Sequence, residues 1–237
     1  MKQIYLILLP LILFACAPHF PDVMPGSTQM LKGPDNRMAL LSVPADYTPK
    51  KRHILFIALH GGGDIAPAFH DLWKIVCDSL GIILLTPQGT EKSEIGFGWT
   101  LTGNSESFLR SIVEEARKRV NIDPDRIYIG GFSAGGSLAY YMALRYPHIF
   151  SGVIALGASF QNEWISLAKP NDLLKRQRIY IGHGDLESNI DNVSQSKDLL
   201  KQAGVTVDFS VYKNTGHAIP EPKLDELLRA LRFITEK

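Results

Sequence analysis

Cysteine is nearly missing from this chain: 237 residues contain two, Cys16 and Cys77. Cys16 closes the first apolar stretch, so the domain that follows has one thiol and no means of forming an internal disulfide. A surplus of charge of either sign is also lacking. Lys and Arg number 25 against 24 Asp and Glu, a net charge of +1, which implies no nucleic-acid partner and no strong electrostatic steering. The one long apolar run, 4–15, is too short to cross a bilayer. Neither a cluster of His and Asp at metal-ligand spacing nor a phosphate-cradling glycine loop occurs, so no metal and no cofactor is expected. Repeats and low-complexity tracts are absent as well. What is left is an ordinary globular composition, 45% hydrophobic and 21% charged, with length for one domain of α/β size.

The amino terminus has the proportions of an export signal. Met1-Lys2 precedes the apolar run, and Leu13-Phe14-Ala15-Cys16 resembles the lipobox of bacterial lipoproteins. That resemblance implies a signal peptide over 1–15 and a lipid on Cys16. It also implies a protein exported and anchored to a bacterial membrane, its domain facing the periplasm or the exterior. Residues 16–36, with Pro18, Pro21, Pro25 and Pro34, read as a tether. The folded domain is then 37–237, with Cys77 as a packing residue on a helix.

Through that domain, apolar runs of strand length alternate with helical patterns. Strands are expected over 38–43, 54–59, 82–85, 127–129, 152–156, 178–181 and 205–212. Helices are expected over 67–80, 105–120, 134–146, 193–203 and 224–234. Ile54 to Leu59 is apolar without interruption, as in a strand covered on both faces. The pattern predicts an α/β fold, a doubly wound and mostly parallel sheet with helices on both faces, with sites at the carboxyl ends of the strands. The segments 88–104 and 157–175 read as loops, and only the second leaves room for a small cap.

The polar motifs fall at those strand ends. Gly131-Phe132-Ser133-Ala134-Gly135 lies between a strand and a helix and has the form G-x-S-x-G, in which the serine occupies a tight turn that only glycine neighbours permit. An alcohol needs a base to become a nucleophile. His217, in Lys213-Asn214-Thr215-Gly216-His217 after the last strand, is the candidate. His60 suits a bracing role, His19 falls in the tether, and His53, His70 and His148 sit at surface-like positions. The base in turn needs a carboxylate, and Gly182-His183-Gly184-Asp185-Leu186-Glu187 offers two, Asp185 and Glu187. Donors for a developing oxyanion would be the backbone N–H of Ala134 and one from His60-Gly61-Gly62-Gly63, with Gly62 ahead of Gly61. Trp99 and Trp164 are candidates for the rim of the site.

Taken together these segments resemble the α/β-hydrolase superfamily. The likeness is greatest to the small serine esterases that include feruloyl and acetyl-xylan esterases, polyhydroxybutyrate depolymerases and the phospholipase/carboxylesterase group. The resemblance runs from His53 to the carboxyl terminus through Leu59-His60-Gly61-Gly62-Gly63, Asp125-Arg126-Ile127-Tyr128, Gly131 to Gly136, and Gly216-His217. It implies a hydrolase that cleaves small-molecule or polymer-linked carboxylic esters through an acyl-enzyme, with little or no cap. In that group an H-G-x-x-D pattern carries the acid; counted from His183-Gly184 it selects Glu187, and a G-x-x-D count from Gly182 selects Asp185. His183 would then be a loop residue. The alternatives are a peptidase or thioesterase with the same triad, or an inactive surface lipoprotein that binds glycans or a partner.

Overall fold

The computed structural model describes residues 20, 21, 23–167 and 172–236. The expected signal peptide and Cys16 lie outside them. Ten strands and five α-helices follow the order β1 (Thr28–Lys32), β2 (Met38–Ser42), β3 (His53–Leu59), α1 (Ala66–Leu80), β4 (Ile83–Pro87), β5 (Glu91–Lys92), β6 (Phe97–Gly98), α2 (Asn104–Arg119), β7 (Ile122–Phe132), α3 (Ala134–Arg145), β8 (Gly152–Leu156), β9 (Arg178–Gly184), α4 (Ile190–Gln202), β10 (Thr206–Tyr212) and α5 (Lys223–Thr235). Short 3₁₀ turns occupy Pro34–Asn36, Asn162–Ser166 and Leu174–Arg176.

Eight strands form one sheet in the order β1-β2-β4-β3-β7-β8-β9-β10. The pairs from β4 to β10 are all parallel, while β2 runs antiparallel to both β1 and β4. Parallel strands require crossovers, and the helices that make them cover both faces. The period of two along each strand separates two cores. Leu55, Ile57, Ile127, Ile129, Val153, Ile179 and Ile181 point to the side covered by α2, α3 and α4. Phe56, Ala58, Tyr128, Ile154 and Tyr180 point to α1 and α5, where they meet Trp73, Cys77, Leu227 and Leu231. Phe56 and Trp73 pack at a tilt with ring centroids 4.5 Å apart, and neither is exposed; removing such a pair from water stabilises the fold by about 2 kcal/mol or more per ring.

Helix ends follow the local chemistry. In α1, Pro67 occupies the first turn and Gly81 ends the helix at φ 66°, a left-handed conformation that glycine adopts without a Cβ penalty. The first N–H of α1, on Ala66, is satisfied from a distant loop by Oε1 of Gln88 at 3.0 Å.

The structure differs from the sequence reading at several points. Residues 28–32, read as part of the tether, form edge strand β1; its pairing with β2 satisfies the backbone although only Leu31 is buried. The 88–104 loop contains a small hairpin, β5 paired with β6. His183 belongs to β9 rather than to a loop, and is fully buried. His53 and His70 are buried too, because each ring is held by hydrogen bonds: His53 by the Thr48 carbonyl, and His70 by the hydroxyls of Ser42 and Thr86.

Candidate active site

Strand polarity brings four loops to one edge of the sheet. Those after β3, β7, β9 and β10 carry Gly61-Gly62, Ser133, Glu187 and His217. Ser133 stands between β7 and α3 at φ 54° and ψ −121°, a strained conformation for a residue with a side chain. Strain of this kind costs about 1–3 kcal/mol and persists because the surroundings fix it. The Ser133 N–H donates to the Leu156 carbonyl at 2.8 Å, and its own carbonyl accepts from Ser137 N–H at 3.0 Å. The two glycines of the turn are required by space: a Cβ on Gly135 would strike the carbonyl oxygens of Leu59 and His60, and one on Gly131 would strike the Leu59 carbonyl and the backbone of Gly135. The elbow is therefore wedged directly under the end of β3.

The side chains line up. Nε2 of His217 lies 2.9 Å from Oγ of Ser133, and its Nδ1 lies 2.7 Å from Oε2 of Glu187. The imidazole rests on the Phe132 ring at a centroid distance of 4.8 Å. It passes over Gly157, where a Cβ would come within 3.2 Å of His217 Cε1. The ring is half exposed while Glu187 is mostly covered. Of the two carboxylates left open by the sequence, Glu187 is the one that reaches the histidine. Oδ1 of Asp185 instead accepts the Thr215 N–H at 3.3 Å. With Asp185 N–H to Tyr212 and Leu186 N–H to Thr215, both at 3.1 Å, it ties the acid loop to the histidine loop.

The glycine loop after β3 lies over the elbow. A Cβ built on Gly61 would sit 3.8 Å from Ser133 Cβ, and one on Gly62 would sit 3.8 Å from Ala134 Cβ. Gly63 N–H is engaged by the Phe97 carbonyl at 2.8 Å. Ala134 is the first residue of α3, where backbone N–H groups have no acceptor inside the helix. The Gly62 backbone thus lies beside Ala134 at the start of α3, next to Ser133. His60 braces this loop: Nδ1 faces the Gly61 carbonyl at 2.8 Å, and Nε2 accepts the Gly89 N–H at 2.9 Å. Burial holds its pKa below the ordinary histidine value, so the ring is neutral at pH 7. Trp99 adds a second brace by donating Nε1–H to the His60 carbonyl at 2.9 Å. Trp164, expected at the rim, is buried between Tyr141 and Phe160 instead.

The β5–β6 hairpin, unmarked in the sequence, makes the outer wall of this loop. Gly63 and Asp64 exchange hydrogen bonds with Phe97, and Ile95 at the hairpin tip covers Gly63. Its sequence, Glu91 to Gly98, carries no alternation of apolar and polar residues that would mark it.

A doubly wound sheet with a serine elbow, a histidine after its last strand and a glycine loop over the serine defines the α/β-hydrolase class. Within that class the chain belongs to the phospholipase/carboxylesterase family, whose model matches residues 100–235. It is 32% identical over 137 residues to acyl-protein thioesterase 1 of Neurospora crassa, covering 56% of this chain and 54% of that protein. It is 28% identical over 123 residues to a poly(3-hydroxybutyrate) depolymerase of Ralstonia pickettii, covering 45% of this chain and 25% of that one. The chain spans about half the length of the acyl-protein thioesterases it matches. In three dimensions it is similar to a ferulic acid esterase, with a TM-score of 0.73 at 19% identity over 88% of this chain and 96% of the other. A phospholipase/carboxylesterase from Dyadobacter fermentans superposes with a TM-score of 0.62 at 18% identity, over 88% and 98% of the two chains.

Proposed function

We propose that this protein is a serine hydrolase of carboxylic esters. The observation that carries the reading is the unbroken line Glu187–His217–Ser133, with contacts of 2.7 and 2.9 Å. In this reading Ser133 Oγ adds to the acyl carbon as its proton passes to His217 Nε2. Glu187 holds the imidazolium, and Ala134 and Gly62 (with Gly61 behind it) receive the oxyanion. The histidine returns the proton to the departing alcohol. Water then repeats the sequence on the acyl-enzyme, releasing the acid and restoring Ser133.

A fluorophosphonate probe tests the assignment. Labelling of the wild type and its loss in Ser133→Ala, together with turnover of short p-nitrophenyl esters, are the expected results; an unlabelled wild type would overturn it and favour a binding protein. A thioesterase is the second reading, favoured by the name of the Neurospora crassa relative. Matched oxygen esters and thioesters of one acyl group separate the two by their kcat/KM ratio. For the site of action, we infer an exported protein held at a bacterial membrane through lipid on Cys16, on the strength of the lipobox-like Leu13-Phe14-Ala15-Cys16. Metabolic labelling with palmitate, absent in Cys16→Ser, tests it.

A further inference from the structure

Glutamate carries one more methylene and one more torsion than aspartate, so a glutamate in this loop has more ways to miss the histidine. Only Oε2 of Glu187 is engaged by His217. Oε1 is buried and has no hydrogen bond of its own, and the group it faces is Nε2 of His183 at 3.5 Å. His183 is the next-to-last residue of strand β9 and is fully buried. Its Nε2 also lies 2.9 Å from Oδ1 of Asn189. Both neighbours of Nε2 are acceptors, so the ring carries its proton there, with the hydrogen bond made to Asn189 Oδ1 and Glu187 Oε1 standing 3.5 Å away. Nδ1 is buried without a partner, which an unprotonated nitrogen tolerates better than a stranded N–H.

We propose that His183 is a positioning residue for the reaction, the positive Nε2–H edge of its ring facing the second oxygen of Glu187 at 3.5 Å and favouring the rotamer in which the first meets His217. The inference rests on the reading of Glu187 as the triad acid. Asn189 sets the ring plane and extends the arrangement. Its Nδ2 reaches Ser159 Oγ at 3.4 Å, Ser159 N–H donates to Ser137 Oγ at 3.1 Å, and Ser137 N–H closes on the Ser133 carbonyl at 3.0 Å. The acid loop and the nucleophile helix are thus joined by a polar path separate from the triad itself.

The test compares three variants at position 183 in a p-nitrophenyl ester assay. His183→Leu fills the space without a donor, His183→Asn places an amide too short to reach Glu187, and His183→Gln places an N–H near the original Nε2. Expected are a fall in kcat of about ten-fold or more for Leu and Asn with KM changed less than about two-fold, and recovery of most of that loss by Gln. A merely structural histidine would give no such recovery. The variants are then combined with Glu187→Gln: because His183 acts through Glu187, the double variants are expected to be no slower than Glu187→Gln alone. Wild-type kcat in the Asn or Leu variant, failure of Gln to recover, or additive losses in the double variants would each overturn the positioning role. Full activity of Glu187→Gln would overturn the triad assignment instead. If His183→Leu does not fold, the Asn and Gln variants carry the comparison.

Discussion

Asp185 and Glu187 stand two residues apart in one loop and serve different partners: Asp185 Oδ1 accepts the Thr215 N–H at 3.3 Å, while Glu187 Oε2 lies 2.7 Å from His217 Nδ1. The first bond shapes the histidine loop and the second orients the base. Glu187→Gln is therefore expected to lower kcat by roughly 10²–10⁴, since an amide cannot stabilise the imidazolium. Asp185→Asn keeps an oxygen acceptor and is expected to stay within about three-fold of wild type. Steady-state rates on one ester decide it, and a reversed order would exchange the two roles.

Gly135 faces the carbonyls of Leu59 and His60 so closely that no side chain fits. Backbone cannot swing aside as a side-chain tip can. Gly135→Ala is expected to destabilise by about 3 kcal/mol or more, as in an overpacked core, and to reduce labelling of Ser133 in the fraction that folds. Urea denaturation and probe labelling measure the two effects.

Trp99 reaches the glycine loop through one hydrogen bond, to the His60 carbonyl, and through its ring contact with His60 at 5.1 Å. Trp99→Phe keeps the ring and deletes the donor. The expected loss of stability is about 1 kcal/mol. A several-fold drop in kcat is expected with it, because the loop that presents Gly62 is less firmly held. An unchanged kcat would show that the brace has no bearing on turnover.

Burial between α1 and β4 draws the pKa of His70 down to about 4, against the opposing charges of Asp71 and Asp78 and with Lys74 adding to the fall. An unfolded chain regains an ordinary histidine near 6.5, so between these values the unfolded state binds the extra proton. Stability from this site is complete above about pH 6.5 and is lost as pH falls toward 4, by about 3 kcal/mol in all. His53 and His60, also held below the usual value mainly by burial, add to the same slope. His70→Gln retains hydrogen bonding without titrating and is expected to flatten the decline; urea melts at pH 4.5 and 7 compare the two proteins.

Much of this was readable in the residues. Ile54 to Leu59 and Ile127 to Ile129 show buried strands, and the glycines around Ser133 show the elbow because a steric requirement leaves its mark at fixed spacing. The acid was narrowed to two candidates and no further. Both occupy the right loop, and only side-chain reach separates them. Histidines 53, 70 and 183 were misread for a related reason: a buried imidazole is recognised by its partners, and Thr48, Ser42, Thr86 and Asn189 lie outside any periodic pattern. Strand β1 was missed because Thr-Gln-Met-Leu-Lys buries a single side chain, its order coming from backbone pairing along β2.

Thr28 pairs with Ser42, which pairs with Leu84 near the start of β4, so the polypeptide enters the sheet at the end opposite the serine elbow. Whatever precedes Thr28, whether a natural leader or a fusion partner chosen at the bench, joins the body on its far side. A handle fused there starts from the end of the sheet away from Ser133.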